Sequence, residues 1–253
     1  MKKILLLPDI HGRDFWKKPC EDISIYDKVI FLGDYFDPYN FENISVQDCV
    51  DNFQEILRLK RENMEKVVLL LGNHDCPYFS DTYYKFSCFH CRHSSRFHQK
   101  IHELFNDNRD FFQLAYVIDD ILFTHAGVDN GWWTKVIKSQ ETNINKICNI
   151  INDLPNNREG WQKIYFVSAS RGGYNKYGSC VWCDVHDMTT NNTEDSILKD
   201  IKQIFGHTLQ AFYDRDYNIV FGKAIEFDNC KMIDTARPYV LDVDKFEIEE
   251  VGK

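Results

Sequence analysis

Five times in this chain a short apolar stretch gives way at once to a block of Asp, His or Asn beside glycine, and that recurrence limits what the chain can fold into. Asp9-Ile10-His11-Gly12 follows Lys3–Leu7, and Gly33-Asp34-Tyr35-Phe36-Asp37 follows Lys28–Leu32. Gly72-Asn73-His74-Asp75 follows Val67–Leu71, His125-Ala126-Gly127 follows Asp120–Thr124, and Gly206-His207-Thr208 follows Ile204-Phe205. Runs of this length and β-branched content read as buried strands. In open α/β sheets the carboxyl ends of strands gather ligand sites, so five polar blocks at five such ends predict one convergent cluster.

Between these runs lie helical patterns. Val46, Cys49, Val50, Phe53, Ile56 and Leu57 recur at helical spacing after Ser45, with Asp48 placed to complete a capping box. Ile144, Ile147, Ile150, Ile151 and Leu154 predict a second helix, closed by Pro155 and Asn156-Asn157. Ile164–Ser168 reads as a further strand. After residue 215 the pattern becomes short strands, Tyr217–Phe221, Ala224–Phe227, Lys231–Asp234 and Tyr239–Asp242, joined by turn signals, and is expected to form an antiparallel meander. No repeat or linker interrupts the chain, so residues 1–253 are expected to form a single α/β domain, with 76–116 as a cap or insertion.

Charge narrows the function. The chain has 39 acidic and 30 basic residues, a net of −9, which leaves no general basic face for a nucleic-acid backbone. The opening MKKILLLPDI is too short for an export signal or a membrane span, so a cytoplasmic protein is expected. With nine cysteines, an odd number, reduced thiols are the default rather than disulfides.

Carboxylate, imidazole and amide donors without thiolate suit a hard-to-borderline divalent ion, manganese first, with iron or zinc as alternatives. Asp9, His11, Asp34, Asn73, His125 and His207 are more donors than one catalytic ion with open positions takes. Two dications about 4 Å apart repel by roughly 17 kcal/mol at an effective dielectric near 20, so a carboxylate must bridge them, and Asp34 is central in order. The resulting pocket is locally positive within an acidic protein, fit for a phosphate dianion.

In order and type these blocks resemble the calcineurin-like metallophosphoesterase superfamily, with its D-x-H, G-D-x-x-D, G-N-H-[DE], later His and final G-H, over residues 9 to 208. The resemblance implies a two-sheet α/β sandwich flanked by helices, with a bimetal site at strand C-terminal ends. It assigns Asp9 and His11 to the first ion, Asp34 to the bridge, and Asn73, His125 and His207 to the second. It implies in-line attack by a metal-bridging hydroxide, with His74 as general acid oriented by Asp37. Leu209 stands where many diesterases of the superfamily carry a second His, which favours phosphomonoesters, of a small molecule or a phosphoprotein, over diesters or dinucleoside polyphosphates. Together with Val181-Trp182-Cys183-Asp184, this leans toward the serine/threonine protein phosphatase-like branch. That branch follows its second Asp with Arg-Gly, whereas here Pro38-Tyr39 follow Asp37. Arg171 is then the candidate phosphate ligand, with Arg13 behind it. A non-catalytic binding module would show eroded ligands, and all six are intact.

Other features compete with blander readings. Cys88, Cys91, Cys180 and Cys183 form two C-x-x-C pairs that would make a structural zinc site if joined in space. The aromatic stretch from Cys76 to Phe112 would line a cleft, or pack on the sandwich through Phe97, Ile101, Leu104 and Phe105. Trp132-Trp133 carry the same ambiguity.

Overall fold

The structure, a computed structural model, describes residues 2–80, 91–213, 219–221, 223–227 and 229–252, with backbone alone for 211–213 and 219–221. Two sheets face each other, with helices on their outer sides. The chain runs β1 (Lys3–Leu7), β2 (Lys28–Phe31), α1 (Val46–Glu62), β3 (Val67–Leu70), α2 (Cys76–Phe79), α3 (His98–Asn106), β4 (Phe112–Gln113), β5 (Ala115–Ile118) and β6 (Ile121–Thr124). It continues through α4 (Ile144–Asp153), α5 (Arg158–Ile164), α6 (Val185–Asn191), β7 (Lys202–Phe205), β8 (Ala211–Tyr213) and β9 (Ile219–Phe221). It ends with β10 (Ile225–Phe227), β11 (Cys230–Met232), β12 (Tyr239–Asp242) and β13 (Glu247–Glu250).

One sheet has the order β13-β12-β1-β2-β3-β4, the other β10-β11-β7-β6-β5. Strands β1 to β4 are parallel, and in the second sheet β7 lies parallel between β6 and β11. The carboxyl ends of β1, β2, β3, β6 and β7 carry the five polar blocks. Side chains alternate across each strand, so Ile4, Leu6, Ile30, Val68 and Leu70 meet Ile121, Phe123 and Ile204 between the sheets. Leu5, Leu7, Val29, Phe31, Val67 and Leu69 face outward onto Cys49, Val50, Phe53, Ile56 and Leu57 of α1. Each large apolar side chain buried there contributes about 1.5–3 kcal/mol. Strands covered on both faces have continuous apolar sequences, which is why the runs were recognisable. α1 begins as its sequence predicts, the Ser45 hydroxyl accepting the Asp48 amide while the Asp48 carboxylate accepts the Ser45 amide.

Three expectations need correction. Ile164–Ser168 is not a strand: Ile164 closes α5, whose N-cap is Asn157, its side chain accepting the Gly160 amide at 2.9 Å. The polar pair read only as the end of one helix starts the next, and Pro155 sits in the first turn of a 3-10 segment between them. The C-terminal region is not one meander. β10 and β11 pair antiparallel in the second sheet, β8 and β9 form a separate ribbon, and β12 pairs antiparallel with β1 in the first sheet. The expected turns at Gly222 and Asp228, and the start of the Tyr217–Phe221 strand, lie outside the described residues.

α3 buries Ile101 and Phe105 and half-buries Phe97 and Leu104 against the first sheet's helical layer, the packing reading of that segment. Trp132 and Trp133 are both fully buried core residues. Among the described residues no helix is long and apolar enough to cross a membrane.

Candidate active site

The strand ends impose an unusual backbone. Asp9, His11, Asp34, Asp37 and His207 all have positive φ, between 33° and 73°. Asp and His tolerate this left-handed region better than most residues, at a cost of order 1 kcal/mol each. Two glycines leave the carboxylates room. A Cβ on Gly206 would lie 2.1 Å from Asp9 Oδ2, and one on Gly72 would lie 2.1 Å from Asp34 Oδ1. The His207 amide then donates to both Asp9 oxygens at 3.0 and 3.1 Å, and the His74 amide donates to Asp34 Oδ1 at 2.8 Å.

Backbone carbonyls set the histidine tautomers. Nδ1 of His11 lies 2.6 Å from the Phe36 carbonyl, and Nδ1 of His125 lies 2.8 Å from that of Leu32, so each donates there and turns a bare Nε2 to the cluster. His11 Nε2 and His125 Nε2 each lie 3.5 Å from Asp34 Oδ2. His125 Nε2 is also 2.9 Å from Asn73 Oδ1 and 3.1 Å from His207 Nδ1. Donor atoms of Asp9, His11 and Asp34 form one group within 4.8 Å, and those of Asp34, His125 and His207 form another, sharing Asp34. Lone pairs from buried imidazoles and carboxylates converging on one spot are what a pair of divalent ions requires, so these residues fit a dinuclear centre.

Burial dominates the electrostatics. It raises Asp34 to about 7 and pushes Asp9 well above the carboxylate range, with the charges of Asp234 and Asp34 adding to it. It lowers His125 to about 3 and His11 and His207 well below the ordinary imidazole value.

Beside the cluster, His74 Nδ1 lies 2.9 Å from Asp37 Oδ2, and Asp37 Oδ1 accepts the Tyr78 hydroxyl at 2.7 Å. Burial raises Asp37 to about 6, and the Tyr78 bond pulls against that rise. The His74 and His11 rings meet edge to face at 5.2 Å. Burial, then the charge of Arg92, holds His74 well below its ordinary value.

Arg171 stands where its charge reaches Asp34, His74, His125 and His207. Its Nη1 lies 3.4 Å from Asp184 Oδ2, an anchor supplied by the Trp182 block. Arg13 is turned away from that role: its guanidinium pairs with Glu42 and donates to the Asp9 carbonyl.

Three residues escaped the sequence reading. Asp75 accepts the amides of Gly72, Asp34 and Tyr35. Asp234, after β11, is buried with Oδ1 unpartnered among the described residues. Arg92 donates Nε to the carbonyls of Asp37 and Pro38, at 3.0 and 3.3 Å, and lies 3.8 Å above the Tyr39 ring. Its guanidinium thus covers the very Pro38-Tyr39 step where an arginine was missing from the chain. The signal for Asp75 was present, as the fourth residue of Gly-Asn-His-Asp; Arg92 directly follows the Cys88-x-x-Cys91 pair, which pointed to zinc instead, and Asp234 ends a stretch read only as a strand.

The cysteine pairs do not form a described zinc site. Cys88 lies outside the described residues, Cys91 directs its thiol to the Asn73 carbonyl, and burial raises Cys180 to about 12. No metal-binding group among the described residues contains a cysteine.

Comparison with known proteins bears on the fold and the family. No curated protein matches the sequence. A cold-active protein-tyrosine phosphatase of a psychrophilic Shewanella is similar in fold, with TM-score 0.53 and 16% identity over 99% of this chain and 80% of that one. A protein serine/threonine phosphatase from Saccharomyces cerevisiae, with similarity to human PP5, gives TM-score 0.53 and 15% identity over 98% of this chain and 79% of that one. The model for calcineurin-like phosphoesterases matches residues 2–211, a span holding all six candidate ligands, His74 and Asp37. The chain therefore belongs to the calcineurin-like phosphoesterase family and is a metal-dependent phosphoesterase.

Proposed function

We propose that the chain hydrolyses phosphate monoesters, with His74 protonating the leaving oxygen. The observation that supports this best is the placing of His74, fixed through Nδ1 on Asp37, beside a carboxylate, Asp34, shared by two donor groups. In this reading Asp9, His11 and Asp34 hold one divalent ion, and Asp34, Asn73, His125 and His207 hold the second. When bound, two such ions, Mn2+ first and Fe or Zn as alternatives, offset phosphoryl charge and lower the pKa of water enough to provide a nucleophile near neutral pH.

The protein's own part is positioning and proton transfer. With Nδ1–H donated to Asp37, the free His74 ring is neutral and Nε2 faces the site. A phosphoryl dianion beside it raises the proton affinity of Nε2, so the proton is present when substrate is. Asp37 keeps the ring from turning, and Tyr78 keeps Asp37 in place. Arg92 is immobilised by Nε and by stacking on Tyr39, its two Nη groups have no partner among the described residues and could take phosphoryl oxygens, and Arg171 approaches from the Asp184 side. The solved neighbours bear the names of protein phosphatases, so a phosphoprotein is one substrate class to test and a small phosphate ester the other.

The test is hydrolysis by Mn2+-loaded protein of a chromogenic phosphate monoester beside the matching diester, with a chelated control. Monoester preference abolished by chelation supports the reading. Diester preference would overturn it in favour of a phosphodiesterase or dinucleoside polyphosphate hydrolase on the same centre.

A further inference from the structure

We propose that Asp234 is an additional anionic residue of the Asp9–His11–Asp34 half-site and strengthens its hold on a divalent cation; the inference rests on the metal-centre reading above. Strand β11 runs parallel to β7 with Met232 opposite Phe205, and the Ile233 amide donates to the Phe205 carbonyl. Two residues further along both chains, Asp234 comes level with His207, whose amide holds the Asp9 carboxylate. The Gln210 amide closes on the Asp234 carbonyl at 2.9 Å, fixing the backbone there.

The side chain is 3% exposed, and its Oδ1 is buried without a hydrogen-bond partner among the described residues. It is the strongest like-charge neighbour of Asp9, and the charge of Asp34 acts on it in turn. Arg13, the first cation to act on Asp234, is already engaged by Glu42 and the Asp9 carbonyl. A buried, unpartnered carboxylate oxygen under the charge of two more carboxylates is unfavourable unless a cation compensates it.

The test is calorimetric titration of chelator-stripped protein with MnCl2 at pH 8, together with thermal unfolding of stripped and loaded protein. Wild type is expected to take up two ions. Asp234→Asn should keep one affinity and weaken the other about 10–100-fold, the loss typical of groups that support metal ligands. Stripped Asp234→Asn should melt above stripped wild type, since one buried charge is gone, while its gain in Tm on adding Mn2+ shrinks. Asp234→Glu, which keeps the charge, should retain part of the affinity. Two unchanged affinities in Asp234→Asn, or a stripped variant less stable than wild type with an undiminished Mn2+ gain, would overturn the inference and leave a structural role. Wild-type protein that binds no Mn2+ would overturn the metal-centre reading itself, a distinct result.

Discussion

The amide of Asp34 donates to Asp75 Oδ2 at 2.7 Å, a bond between two blocks 41 residues apart in sequence. The same oxygen accepts the Gly72 amide, and Oδ1 accepts that of Tyr35. One carboxylate thus ties the end of β2 to the end of β3 and fixes the backbone from which Asp34 projects.

Asp75→Ala leaves three buried amides unsatisfied. At about 1–3 kcal/mol for each, the variant should lose at least about 3 kcal/mol of stability, read by urea unfolding. Its Mn2+ affinity should fall as well, because Asp34 loses its support. Unchanged stability would show that the amides find other acceptors.

His74→Asn should bind the same number of metal ions as wild type, by elemental analysis, and lose about 10²–10⁴ in kcat. Asp34→Asn should lose both. The contrast separates a proton donor from a ligand, and full turnover by His74→Asn would remove the donor role.

Arg92→Ala should lower kcat/KM for a phosphate monoester about 10–100-fold, the equivalent of one charge-assisted phosphate contact. Arg92→Lys should not recover it, since an ammonium neither stacks flat on Tyr39 nor forks to two oxygens. Inhibition by inorganic phosphate should weaken in parallel. If only Arg171→Ala shows these effects, the phosphate lies on the Asp184 side of the site.

Asp129, four residues beyond His125, is buried and raised to about 6, chiefly by burial, with the Trp132 amide at 2.8 Å acting the other way. A raised carboxylate pKa means that the native state binds more protons than the unfolded chain between about pH 4 and 6. Its stabilisation is complete below pH 4 and is lost as pH rises through 6, by about 3 kcal/mol in all. Urea unfolding with chelator at several pH values should therefore show stability of Asp129→Asn rising relative to wild type across that window. A constant difference would show that Asp129 is not shifted.

The apolar runs of β1, β2 and β3 were legible because both faces of those strands are covered, so their sequences carry no polar interruption. The six candidate ligands, His74 and Asp37 stood out because glycine and polar side chains crowd onto strand ends, where Asp9, His11, Asp34, Asp37 and His207 turn left-handed. Arg92 was hidden because its role depends on a stack over Tyr39, 53 positions away, which leaves no local spacing. Asp234 was hidden because it comes level with His207 only through the β7–β11 register. Ile164–Ser168 misled because a β-branched residue at a helix end, followed directly by Tyr165, Phe166 and Val167, imitates a strand.

The Asp9 carboxylate is held by an amide that lies 198 residues later. At about 5–20 residues per second, a ribosome separates the making of these two groups by about 10–40 s. Throughout that interval the nascent chain carries the first acid of its site without the residue that aims it. A product released early, before position 207, therefore has the leading motifs but lacks the residue that aims Asp9, and phosphoester hydrolysis waits until residue 207 has been made.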